Sequence, residues 1–150
     1  MALSKLRGSL YDPFRRAMVA ATPEEIVRQK LLQMMVSGLG YPKELISVEK
    51  QLSELPHISK GGPLPKRRAD IICFAANIHP EYPMYPLLLI ECKEGAVGED
   101  AKEQALGYNH YVQALYVGVA GDGHFELIFP KAVSFLPTYS ALLEAVSLCK

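Results

Sequence analysis

The stretch Leu87–Glu94, LLLIECKE, constrains the fold more than any other part of the chain. Its four consecutive branched aliphatics read as a strand buried on both faces of a sheet. The run continues without a break into Glu91, Cys92 and Lys93, and burying charge is costly unless it is paired or binds a metal. Side chains alternate along a strand, so Leu89, Glu91 and Lys93 share one face while Leu88, Ile90 and Cys92 share the other. A rigid, buried strand is therefore expected to carry an acid and a lysine side by side at the end of a sheet.

The elements around it follow from periodicity and punctuation. ATPEEIVRQKLLQMMVSGLG carries Thr22 as a helix N-cap, Pro23 at the first helical position, and Gly38 or Gly40 as a stop. Glu25, three residues after the cap, is expected to complete a capping box with Thr22. On a wheel of about 100° per residue, Val27, Leu31, Met34 and Met35 share one face with Glu24 near its middle. LISVEKQL, RRADIICFAA and MYPLLLIECK read as three strands of an antiparallel meander, separated by a Gly/Pro-rich loop and the turn-rich NIHPEYP.

VGEDAKEQALGYNHYVQ is helical, with Ala101, Ala105, Tyr108 and Val112 on one side, and ALYVGVAG is a further buried strand. A helix between two buried strands makes a right-handed parallel crossover. HFELIFP reads as an edge strand ended by Pro130, and TYSALLEAVSLCK as a closing helix begun by Thr138 or Ser140. The fold class is α/β, with a mixed central sheet (three-stranded meander plus parallel crossover strand) flanked by helices. The segment SKLRGSLYDPFRRAMVA is expected to add an extra helix used in assembly.

At 150 residues with net charge zero, the chain is the size of one domain and lacks the basic excess of a protein that coats nucleic acid. No apolar run is long enough to span a bilayer, so the expected setting is the cytoplasm, with no membrane partner. Cys73, Cys92 and Cys149 are read as reduced structural thiols, and the spacing of His57, His79, His110 and His124 offers no transition-metal site. Lys60, Lys66, Arg67 and Arg68 collect in SKGGPLPKRR, which by itself reads as a solvated loop.

Asp70 opens the strand that precedes LLLIECKE, and in an antiparallel hairpin the start of one strand meets the end of the next. Asp70 and Glu91 are thereby placed together, with Lys93 alongside and Glu24 on a helix facing them. Such an oxygen set suits a hard divalent cation, Mg²⁺ rather than zinc, and its physical use is phosphodiester hydrolysis. Blander readings remain for each residue taken alone: a strand-start turn cap for Asp70, an exposed same-face ion pair for Glu91 and Lys93, and a core tyrosine for Tyr108. Arg28, one turn after Glu24, reads as its i,i+4 salt-bridge partner.

At these positions the sequence resembles the PD-(D/E)xK nuclease superfamily, through RADI with Asp70 and LLLIECK with Glu91 and Lys93. QALGY adds Gln104 and Tyr108 in the Q-x-x-x-Y spacing of the branch that contains RecB-type nucleases and type I restriction R subunits. The string TPEEIVRQKLL, GYPKELISVEK, RRADIICF, LLLIECKE, EQALGYN looks like the N-terminal nuclease domain of the type I restriction R subunit. The resemblance runs from about residue 22 to about residue 129.

It implies a restriction-endonuclease-like core within a single domain, 1–150, that has N- and C-terminal helical extensions. It further implies that Asp70, Glu91 and the backbone carbonyl of Cys92 ligate Mg²⁺, with Mn²⁺ as a substitute, and that Lys93 is catalytic. Glu24 is the further acid on the first helix, with Glu25 the second choice. Gln104 and Tyr108 contact the DNA backbone or brace the ligands, and Lys66, Arg67 and Arg68 gain a reading as DNA contacts.

The implied function is a Mg²⁺-dependent DNA endonuclease, acting as a homodimer or with other restriction-system-like subunits, since a two-strand cut needs two sites. The chain has no Walker A pattern, so it is expected to stand alone without the ATPase motor of a full R subunit. Ala69 stands where the superfamily name has proline, which removes no ligand. The alternative is a catalytically silent module of the same fold that binds nucleic acid or protein. A small-molecule phosphodiesterase using the same acids is a third reading.

Overall fold

The computed structural model describes residues 8–55, 64 and 67–148. A small hairpin, β1 (Ser9–Asp12) and β2 (Ala17–Ala20), precedes helix α1 (Pro23–Ser37). The main sheet is built from β3 (Ile46–Gln51), β4 (Arg68–Ala76), β5 (Met84–Cys92), β6 (Tyr116–Gly121) and β7 (His124–Phe129), hydrogen-bonded in that order. Helix α2 (Glu99–Val112) connects β5 to β6, and α3 (Tyr139–Leu148) closes the described chain. Every neighbouring pair in the sheet is antiparallel except β5 and β6, which run parallel. The expected meander and crossover are both present.

The sheet has a core on each face. Val27, Leu31, Leu32 and Met35 of α1 and Leu142 of α3 pack with Ile71, Cys73, Leu88, Ile90 and Cys92. Tyr108 and Val112 of α2 pack with Ile72, Phe74 and Leu89, and Ala101 and Ala105 pack with Val117 and Val119. A register shift between Cys73 and Phe74 leaves Leu87 as an extra residue in β5. That bulge puts Leu87 on the same side as Leu88, so the four-residue aliphatic run does not alternate strictly.

Thr22 caps α1 by accepting a hydrogen bond from the Glu25 N–H at 3.1 Å, and Gly38 ends the helix. Its buried stripe differs from the apolar wheel. Met34 is 44% exposed, whereas Leu32, Glu25 and Arg28 are buried. Apolarity alone misplaces the stripe because two of its members are charged side chains that neutralise one another. At the far end of α2, the Asn109 side chain donates to the Ala114 carbonyl and accepts from its N–H, while Gln113 adopts a left-handed φ of 59°. Thr138 accepts from the Ala141 N–H and starts α3.

The chain before α1 forms the β1–β2 hairpin, not the helix expected there. Asp12 makes an Asx-type turn, accepting from the Phe14 N–H at 2.9 Å and pairing with Arg15. Asp12-Pro13 is the turn signal that competes with helix in this segment. Lys60 and Lys66 lie outside the described residues, as does Cys149.

The loop that leaves β5 is pinned against β6. Lys93 N–H donates to the Ala120 carbonyl at 2.8 Å, and Asp122 N–H donates to the Gly95 carbonyl at 2.8 Å. A Cβ built on Gly121 would stand 2.3 Å from that Gly95 oxygen, so β6 and the loop approach as closely as they do because Gly121 has no side chain. Gly121→Ala is expected to lower stability by about 1–3 kcal/mol through the forced backbone shift, measured by urea unfolding.

Candidate functional site

Three acids from three neighbouring strands stand in one row. Ile71 pairs with Ile90, so one residue further along Asp70 stands opposite Glu91. Val48–Ile71 and Lys50–Ala69 pairs bracket Glu49 and Asp70 in the same way. Glu49 has a φ of 57°, an uncommon backbone state for a residue with a side chain, at this one point in β3. Glu24, Glu49, Arg67, Arg68, Asp70, Glu91, Cys92 and Lys93 line an open cleft of about 380 Å³ at this end of the sheet.

Asp70 is buried and firmly held. Its Oδ1 accepts from Arg28 Nη2 at 2.5 Å, and its Oδ2 accepts from the Cys92 N–H at 2.8 Å. Arg28, 3% exposed, is surrounded by acids: Nη1 bonds Glu25, and Nη2 also approaches Glu49 at 3.3 Å and Glu24 at 3.6 Å. Burial opposes the Arg28 charge, but Asp70, Glu25 and Glu49 outweigh it and hold the guanidinium protonated beyond its ordinary range.

Glu91 is in the opposite condition. It is 3% exposed, its Oε1 is buried with no hydrogen-bond partner, and its Oε2 meets Arg67 only at 3.5 Å. Burial, then the neighbouring Asp70 carboxylate, push its carboxyl up to about 8, against the pull of Arg67 and Lys93. Glu24 and Glu49 are also raised, each chiefly by burial and further by Asp70, with Arg28 acting against the rise.

Lys93 and Arg67 are each held by α2. Lys93 Nζ donates to Gln104 Oε1 at 2.7 Å. The Arg67 guanidinium lies 4.9 Å from the Tyr108 ring centroid, a cation–π distance, and Tyr108 Oη donates to the Arg67 carbonyl at 2.9 Å. Gln104 and Tyr108, four residues apart on one helical face, thus orient the two cations that flank Glu91. Burial pushes the Tyr108 hydroxyl up to about 12, so it stays a donor.

The structure brings Glu24, Asp70, Glu91, Cys92, Lys93, Arg67 and Arg68 to one cleft, and places Gln104 and Tyr108 behind it. Glu25 is elsewhere: its carboxylate goes to Arg28, to Arg15 at 2.7 Å and to Gln29 at 3.0 Å. The expected return bond of a capping box is replaced by this ion cluster, and Glu25, not Glu24, is the buried member of the pair. Glu24 keeps 46% of its side chain exposed on the cleft wall. Arg28 does approach Glu24, but its short contacts are with Asp70 and Glu25.

Two features, one in the cleft and one behind it, escape the sequence reading. Glu49 shows only as one acid in an alternating strand, and its role needs the register. Arg15 leaves no local sign of its reach to Glu25. Buried Cys73 and Cys92 are free thiols, and burial raises both well above their ordinary range, which keeps them unreactive.

Residues 23–133 match the family described as Type I restriction enzyme R protein N terminus (HSDR_N). The chain belongs to this family. The matched span runs from the start of α1 past β7 and includes every described cleft residue. No curated protein and no solved structure matches the chain significantly. Among the described residues no helix is long and apolar enough to cross a membrane.

The raised Glu91 carboxyl sets a pH dependence. Its folded value of about 8 lies above the ordinary 4.5, so its contribution to stability is fully present below about 4.5 and is lost as pH rises toward 8. In metal-free buffer the unfolding free energy is expected to fall by up to a few kcal/mol over that window, and Glu91→Gln to flatten the profile. Urea unfolding between pH 5 and 8.5 measures both, and a flat wild-type profile would contradict this environment for Glu91.

Proposed function

We propose that this HSDR_N-family chain is a divalent-metal-dependent deoxyribonuclease that hydrolyses DNA phosphodiester bonds. The observation that carries the reading is the unpartnered, buried Oε1 of Glu91, a residue that stands opposite Asp70 and lines a cleft together with Lys93. A buried carboxylate oxygen left without a donor is costly unless a proton or a cation meets it. Family membership supports a restriction-system setting with DNA as partner; other subunits or a second copy would supply the second cut, in the cytoplasm.

The residues fit Mg²⁺. Among the described residues no three His, Cys, Asp or Glu side chains converge to cage a metal by themselves. Mg²⁺ does not need such a cage, being held through one or two carboxylates with water and substrate phosphate completing its shell. Asp70, Glu91 and the Cys92 carbonyl would hold it, with Glu24 facing them, and Mn²⁺ would substitute. When bound, the ion neutralises phosphate charge and lowers the pKa of coordinated water.

The chain's own groups supply the rest. Lys93, oriented by Gln104, positions the attacking water and takes its proton or offsets charge on the phosphate. Arg67, stacked on Tyr108, and Arg68 present guanidinium groups to backbone phosphates at the mouth of the cleft, with Lys66 next to them in sequence. A second reading is a catalytically silent module that binds nucleic acid or protein. It is favoured by Arg28, which already neutralises Asp70 without any ion.

The test is cleavage of supercoiled, linear and branched DNA in Mg²⁺ or Mn²⁺. Wild type is expected to cut at least one form, and Lys93→Ala and Glu91→Gln to reduce the rate about 10²-fold or more while the circular dichroism spectrum is retained. Undiminished cutting by both variants would overturn the site. No cutting together with no calorimetric metal binding would leave the silent module.

A further inference from the structure

The two flanks of helix α2 are used differently. On one, Lys102 pairs with Glu126 of β7 at 2.9 Å. On the other, Gln104 holds Lys93 and Tyr108 lies against Arg67, so this flank runs on from the cleft. Tyr111 stands on it seven residues beyond Gln104, about 10 Å along the helix. It is 39% exposed, with its ring nearly perpendicular to that of His110 and the centroids 5.3 Å apart. Gly107 lies between Gln104 and Tyr111 and is also exposed.

A glycine inside a helix costs stability relative to alanine. A Cβ built on Gly107 would meet no atom outside its own helix backbone within 4 Å among the described residues, so packing does not call for glycine here. Close approach by a ligand strand does. Acids are also absent from this stretch: Glu99, Asp100 and Glu103 are exposed at the start of α2, whereas from Gln104 to Val112 the helix carries none.

Binding of duplex DNA draws on many phosphate contacts and on positive charge to match them, and this chain has a net charge of zero. An unpaired strand adds stacking of its bases on aromatic rings. We propose that this flank of α2 receives unpaired DNA running from the cleft, with a base stacked on the Tyr111 ring and the strand passing close over Gly107. The inference rests on the nuclease reading and names its substrate class: DNA that is single-stranded beside the bond to be cut. Arg67 and Arg68 meet the phosphates nearest the cleft, and Gln104 continues to orient Lys93.

The experiment is fluorescence anisotropy of the full chain with a labelled mixed-sequence oligonucleotide, single-stranded or annealed to its complement, with Ca²⁺ in place of Mg²⁺ to hold off cutting. Wild type is expected to bind the single strand about tenfold or more tightly than the duplex. Tyr111→Ala is expected to weaken single-strand binding about tenfold and Tyr111→Phe to retain it, since the ring and not the hydroxyl makes the contact. Leucine is a better helix former than glycine, so Gly107→Leu is expected to raise the urea midpoint yet weaken single-strand binding about tenfold, a pairing that a purely structural role does not produce. Duplex bound as tightly as single strand, no binding of either, wild-type affinity in Tyr111→Ala or Gly107→Leu, or equal losses in Tyr111→Ala and Tyr111→Phe would each overturn the inference. Should Gly107→Leu fail to fold, the two Tyr111 variants decide. The nuclease reading survives any of these results if duplex DNA is still cut in a way that needs Lys93 and Glu91, and it fails by itself if no DNA is cut and no metal binds.

Discussion

The ion pair between Arg28 and Asp70 joins the helical layer to the sheet at the point where the cleft opens. It is one link in a chain of alternating charge: Asp12 to Arg15, Arg15 to Glu25, Glu25 to Arg28, and Arg28 to Asp70. Each member is buried or half-buried, and each charge has a counter-charge beside it. Removing one partner would leave a buried charge uncompensated, a loss of about 3–5 kcal/mol for such pairs. The chain fixes the hairpin on α1, α1 on β4 and, through the Cys92 N–H, β4 on β5. Asp70 therefore has a determined position in the cleft.

Glu91 differs from the acids of that chain, because one of its oxygens is buried without a hydrogen-bond partner. Its strand is rigid because Leu88, Ile90 and Cys92 fill one core and Leu89 the other. The acid is therefore held in place in spite of its unpartnered oxygen and raised carboxyl. Helix α2 complements this by orienting cations, Gln104 on Lys93 and Tyr108 on Arg67. Acids arrive from the sheet, cations are steered by the crossover helix, and the two sets meet at the end of β5. Rigid elements that carry and support a site in this way are what metal and phosphate chemistry require.

Much of this was legible in the sequence, for identifiable reasons. The period-2 pattern of LLLIECKE fixed the shared face of Glu91 and Lys93, and hairpin topology placed Asp70 opposite Glu91. The cap at Thr22 and the Ala101, Ala105, Tyr108, Val112 stripe marked two helices whose local signals agree with their packing. The failures concern charge at long range. A wheel scored by apolarity put Glu24 near the middle of the packed face and Glu25 to one side of it, because nothing local announces that Arg15 and Arg28 neutralise Glu25. Glu49 required the β3–β4 register, and the Asp12 turn was hidden by a segment read as helix. Buried ion clusters are made by tertiary contacts, which single-sequence periodicity does not record.

The proposed cation site consists of Glu91, Asp70 and the Cys92 carbonyl at the end of a buried strand. Anomalous diffraction from crystals soaked in Mn²⁺ at neutral pH tests it most directly. Such a site gives one strong anomalous peak in coordination distance of Glu91 Oε1 and the Asp70 carboxylate. A cleft with no peak, or a peak held by residues remote from Glu91, would contradict it.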